Sequence, residues 1–109
     1  MSEPEEIEQL IAQMALGSRD AFQDLYARTS AKLFGVALRV LNDRAEAEDA
    51  LQDVYVKVWK NSGRYQANGL SPMTWLITIA RNTAIDRKRR HQSMQPRAEL
   101  SETLADTRP

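Results

Sequence analysis

The sequence predicts an all-α fold: a compact bundle of about four helices, with a polar loop before the last helix and a flexible C-terminal tail. Three observations carry that expectation. Apolar residues recur at i, i+3, i+4 and i+7 through four segments. Val, Ile and Thr do not alternate with polar residues as a half-buried strand requires. Gly and Pro fall between the periodic segments rather than inside them. At 109 residues the chain supports one domain with a single modest core.

The first helix spans about Pro4–Leu16, with Ile7, Leu10, Ile11 and Met14 on one face and Glu residues in its first turn. Gly17 ends it. Ser18 then caps a long second helix, about Arg19–Leu41. Its expected inner face is Phe22, Leu25, Tyr26, Thr29, Leu33, Val36, Ala37 and Val40. Asn42-Asp43 interrupts, and Asp43 followed by Glu46 has the pattern of a capping box. The third helix, about Arg44–Lys60, turns Ala47, Ala50, Leu51, Val54 and Val58 inward. Asn61–Leu70 (NSGRYQANGL) is the polar loop. Ser71 is a good N-cap for the fourth helix, and Pro72 takes its first position, where the missing N–H costs nothing. Met73, Leu76, Ile77, Ala80 and Ala84 form its buried stripe.

Net charge is zero, yet the charge is unevenly placed. Residues 1–60 hold 7 Lys/Arg and 11 Asp/Glu, a net −4, whereas residues 61–92 hold 6 Lys/Arg and 1 Asp, a net +5. An acidic front and a basic back suggest two surfaces with two kinds of partner. The absence of cysteine excludes disulfides and thiolate metal sites. No apolar run approaches the roughly 18 residues of a membrane span, and the acidic start is unlike a signal peptide, so a soluble, cytoplasmic protein is expected. No Gly-rich phosphate loop, metal-ligand cluster or nucleophile–base pair stands out, and the single His91 lies in a basic segment. The chain therefore reads as a non-enzyme without a cofactor or metal.

Three features point to binding. In the fourth helix, Arg81, Arg87, Lys88, Arg89 and Arg90 face a single acid, Asp86. Such a segment suits a phosphate backbone, although cations at a helix C-terminus also complement its dipole. In the loop, Tyr65 offers a stacking ring, Arg64 a cation, and the amides hydrogen-bonding edges for an unpaired base; an ordinary connector built around Asn68-Gly69 is the alternative. On the third helix, Asp49, Gln52, Asp53 and Val56 form one mostly acidic strip, with Tyr55 and Trp59 four apart and able to pack together at its flank. The strip reads either as a solvated face or as a docking site for a basic or mixed helix.

These residues together resemble region two of bacterial sigma factors, specifically the small extracytoplasmic-function group. Asp20-Ala21-Phe22 with Leu25-Tyr26 looks like the start of that family's first long helix. The run from Ala45 to Trp59 (AEAEDALQDVYVKVW) is similar to its core-polymerase-binding helix. Trp75-Leu76, Ile79-Ala80-Arg81-Asn82, Asp86 and Arg89-Arg90 are similar to its promoter-reading helix. The likeness covers roughly Ser18–Arg90.

The resemblance implies that Asp49, Gln52, Asp53 and Val56 dock on the clamp coiled coil of core RNA polymerase. It implies that Arg64, Tyr65, Gln66, Ala67 and Asn68 lie near the unpaired non-template strand of the promoter −10 element. It also makes Arg81, Asn82, Asp86, Arg87, Lys88, Arg89 and Arg90 the candidates for contact with duplex at the upstream edge of that element. An anti-sigma partner covering the same surfaces is a further expectation. Family members continue into a second helical domain with a helix-turn-helix. Residues 1–92 are therefore expected to form the region-two-like domain, and 93–109, with Pro96 as helix breaker, the start of a linker in a piece of a longer chain. A natural single-domain protein is the other possibility. A helical protein-interaction adaptor without DNA binding is the alternative function.

Overall fold

A computed structural model of the chain describes residues 2–65 and 71–94, which form four α-helices and one short 3₁₀ turn. They are α1 (Glu3–Ala15), α2 (Arg19–Leu41), α3 (Arg44–Asn61), the turn Ser62–Arg64, and α4 (Pro72–Met94). The helical reading therefore holds throughout the described residues.

The helix ends follow local chemistry. Ser2 and Glu5 make a reciprocal capping box at α1, the Ser2 hydroxyl accepting from the Glu5 N–H while the Glu5 carboxylate accepts from the Ser2 N–H. At its other end Gly17 adopts φ +97°, and Ser18 N–H reaches back to Gln13 O while Gly17 N–H reaches Met14 O. These two bonds satisfy carbonyls the helix would otherwise leave open. Ser18 caps α2 through Ala21 N–H, and Asn42, at φ 53°, closes it. Ser71 accepts from Thr74 N–H at 3.1 Å, as expected of the cap before Pro72. Gly35 is an exception to the placing of Gly between segments: it lies inside α2 with open space where a Cβ would be.

Asp43 caps α3 through Glu46 N–H at 3.0 Å, but the expected capping box is not completed. The Glu46 carboxylate is drawn away to Arg87 and His91 of α4. A charged partner from another helix outcompetes the local return bond.

The core lies where α1, α3 and α4 pack on α2. Ile7, Ile11, Met14, Leu25, Leu33, Leu51, Val54, Val58, Leu76 and Ala80 fill its larger part. A second, alanine-lined layer of Ala37, Ala47, Ala50 and Ala84 sits where α2, α3 and α4 meet. Tyr26, expected inside, is 45% exposed; Ala21 is buried on α2 instead. Tyr55 and Trp59, four apart on the flank of the strip, share Phe22 as an aromatic neighbour. Phe22 lies edge-on to both, with ring centroids 6.1 Å from Tyr55 and 5.2 Å from Trp59, and Tyr26 contacts the Tyr55 ring at 4.7 Å.

The loop begins later than expected, because α3 takes in Asn61 and the 3₁₀ turn extends the helical backbone to Arg64. At the far end α4 runs past Arg90 to Met94. Gln66, Ala67 and Asn68, and the expected linker beyond Met94, lie outside the described residues.

Candidate functional site

The alanine layer decides how the charged faces meet. Small side chains let helix backbones approach closely, and Ala47 and Ala50 of α3 face Ala84 of α4 here. Three residues after Ala84, Arg87 projects from the same side of α4 and reaches across to α3. Its Nε donates to Glu46 Oε1 at 2.8 Å, Nη1 to Asp53 Oδ2 at 3.3 Å, and Nη2 to Asp49 Oδ2 at 3.4 Å. The Arg87 side chain is 22% exposed, far less than Asp49 at 60% or Asp53 at 49%. Glu46 also pairs with His91 Nε2 at 3.0 Å. The hydrogen bond from Arg87 holds the Glu46 carboxyl below its usual range, and that same bond raises the Arg87 guanidinium.

The acidic strip is therefore exposed but not unpaired. Asp49 and Gln52 face solvent, Asp53 is half-buried, and Val56 is 50% exposed. Beside Val56, a cleft of about 460 Å³ runs between α2 and α3, lined by Arg19, Phe22, Gln23, Tyr55, Val56, Trp59 and Lys60. Periodicity placed Phe22 in the core and did not reveal this groove, which needs both helices. The available signal was the aromatic pair Tyr55 and Trp59 at i, i+4.

The cations of α4 divide into two groups. Arg81, Lys88, Arg89 and Arg90 are exposed, as are Asn82 and Asp86, and none of these residues forms an ion pair with another described residue. Arg87 instead turns toward α3, where His91 joins it on Glu46. Arg89, Arg90 and Asp86 share a shallow hollow with Asp53 and Lys57, so the basic turn and the acidic strip adjoin. Lys57 contributes to the joint by donating to Thr83 Oγ1 at 3.0 Å.

In the loop, Arg64 is exposed. Tyr65 is tied inward: its hydroxyl donates to Glu8 Oε2 at 3.1 Å and its ring lies 5.1 Å from that of Trp75. Burial and the nearby Glu8 carboxylate push the Tyr65 phenol up. It thereby pins the 3₁₀ turn to both α1 and α4. Among the described residues, no group of three or more His, Asp or Glu side chains is arranged to hold a metal ion, and no helix is long and apolar enough to cross a membrane.

The family model described as Sigma-70 region 2 matches residues 25–94, well over half of the chain. The chain belongs to the sigma-70 region 2 family. That match runs from the second turn of α2 to the last residue of α4, and so takes in the acidic strip, the loop and the basic helix. The chain is also similar to proteins named ECF RNA polymerase sigma factor SigK. One from Mycobacterium sp. (strain KMS) is 38% identical over 92 residues, covering 84% of this chain and 48% of that protein. One from Mycobacterium ulcerans (strain Agy99) is 37% identical over 89 residues, covering 82% and 48%. One from Mycobacterium bovis (strain BCG / Pasteur 1173P2) is 31% identical over 88 residues, covering 81% and 47%. The chain spans about half the length of these curated relatives.

Proposed function

We propose that this chain is the polymerase-docking and promoter-reading domain of an extracytoplasmic-function sigma factor, acting in the cytoplasm on transcription initiation. Asp49, Gln52, Asp53 and Val56 dock on the clamp coiled coil of core RNA polymerase. Arg81, Asn82, Asp86, Lys88, Arg89 and Arg90 receive the duplex edge of the −10 element. Arg64, Tyr65, Gln66, Ala67 and Asn68 lie along the unpaired non-template strand. An anti-sigma protein is the expected antagonist. The observation that carries this reading is the row of exposed α4 cations in a chain of this family, ending beside an exposed acidic strip with an apolar member.

The division of labour is physically sound. Phosphate contacts position DNA without reading it, and a base captured from the unpaired strand supplies sequence information once its unstacking has been offset. No covalent step is assigned to any residue.

Co-elution with core RNA polymerase tests the docking surface. Wild type is expected to co-elute and an Asp49→Ala/Asp53→Ala variant to lose most of that binding while keeping its helical circular dichroism. Retention by the variant would remove the strip from the reading. A folded wild-type chain that binds neither polymerase nor DNA would favour the helical adaptor.

A further inference from the structure

Arg87 belongs by position to the basic turn of α4, but its guanidinium is spent on α3. Three of its five N–H donors point at carboxylates. The three contacts are not equivalent. The Nε bond to Glu46 is 2.8 Å long and joins side chains that are 22% and 31% exposed. The two Nη contacts, at 3.3 and 3.4 Å, reach Asp53 and Asp49, which are far more open to solvent. Those two acids are the ones assigned above to polymerase docking. The shorter bond would anchor Arg87 while the two longer ones are exchanged.

We propose that Arg87 couples the two surfaces: Asp49 and Asp53 hold its terminal nitrogens away from DNA until a cationic partner takes those acids. This rests on the docking and DNA reading above. A basic partner helix on the strip competes with Arg87 for the same carboxylates. Asp53, the partner of Nη1, also lines the hollow with Lys57, Asp86, Arg89 and Arg90, so an Nη group released from it would lie next to a phosphate bound by Arg89 or Arg90. Binding at one surface then strengthens binding at the other, and reciprocity requires the effect to run both ways.

The device can be opened without polymerase. In the 109-residue chain, Asp49→Asn/Asp53→Asn removes both competing charges while keeping side-chain shape. Binding to a labelled 20-base-pair duplex of arbitrary sequence is measured across a salt series. The double variant is expected to bind up to roughly fivefold more tightly. Its plot of log K against log salt should steepen by about 0.9, the signature of one added phosphate contact. In the triple variant that also carries Arg87→Gln, the slope should return to the wild-type value. If that variant does not fold, the ¹⁵N resonance of Arg87 Nε–H decides on the double variant alone: duplex should shift it there and leave it unmoved in wild type.

An unchanged slope in the double variant, equal steepening in the triple variant, or no duplex binding by any form at low salt would overturn the proposal. Failure of wild type to co-elute with core polymerase would sink the docking assignment while leaving the salt slopes to judge Arg87 on their own.

Discussion

Thr29 and Tyr55 are buried polar side chains that satisfy one another between α2 and α3. The Thr29 hydroxyl donates to Leu25 O at 2.7 Å within its own helix, which leaves its oxygen free to accept from the Tyr55 phenol. Burial pushes the Tyr55 phenol up to about 12, so it stays a neutral donor throughout the physiological range. The two halves of this bond are not of equal consequence. Tyr55→Phe leaves Thr29 still donating to Leu25 and should cost about 1 kcal/mol, whereas Thr29→Val strands a buried phenol and should cost about 2 kcal/mol. Urea unfolding of both variants measures the difference; equal losses would mean that the stranded phenol finds water. Tyr65 belongs to the same scale. Its contacts to Glu8 and Trp75 make it a fastening of the turn as well as a candidate for the unpaired strand.

At the scale of elements, the joint between α3 and α4 is made twice. Alanines bring the helices close, and the cluster of Arg87 and His91 with Glu46, Asp49 and Asp53 closes over them. Glu46 titrates from below its ordinary value of 4.5 because Arg87 donates to its ionised form. The sign follows directly. Near and just below that ordinary value the unfolded chain binds more protons at this position than the folded one, so stability rises with pH across the window. The contribution is complete above the ordinary carboxylate pKa and is lost as pH falls through the depressed folded value. Wild type should therefore melt above Glu46→Gln at pH 7, with the gap shrinking as pH drops below about 4.5. A gap that persists undiminished at pH 2.5 would show that packing, not charge, makes the difference.

For the whole molecule, the uneven charge of the sequence becomes two adjoining surfaces rather than two opposite ones. Asp53 lines the same hollow as Arg89 and Arg90, so the acids cannot be considered separately from the cations. Local field effects at such distances are only partly screened, since the Debye length is about 8 Å at physiological salt. Arg89→Ala/Arg90→Ala should weaken DNA binding across all sequences and flatten the salt slope by roughly one unit per lost phosphate contact, while leaving co-elution with core polymerase in place. Loss of both activities by a folded variant would mean that the surfaces act as one.

What could be read from the residues alone was most of what is decided within a turn or two of backbone. Apolar spacing marked four helices, Gly17 and Ser18 set the α1–α2 joint, and Ser71-Pro72 began α4, because capping and periodicity depend on neighbours a few positions away. The family was legible too, since its motifs are runs of such local sequence along α3 and α4. The reach of Arg87 was not. Its partners lie 34 to 41 positions earlier, and only the alanine contact between α3 and α4 brings them within hydrogen-bonding distance. The same holds for the unfinished capping box at Asp43, the Tyr65–Glu8 bond and the cleft around Phe22. Helix identity is set by the free energy of local backbone and side-chain choices, whereas the partner of a charge is set by which helix crosses it, and that crossing exists only once the core has packed.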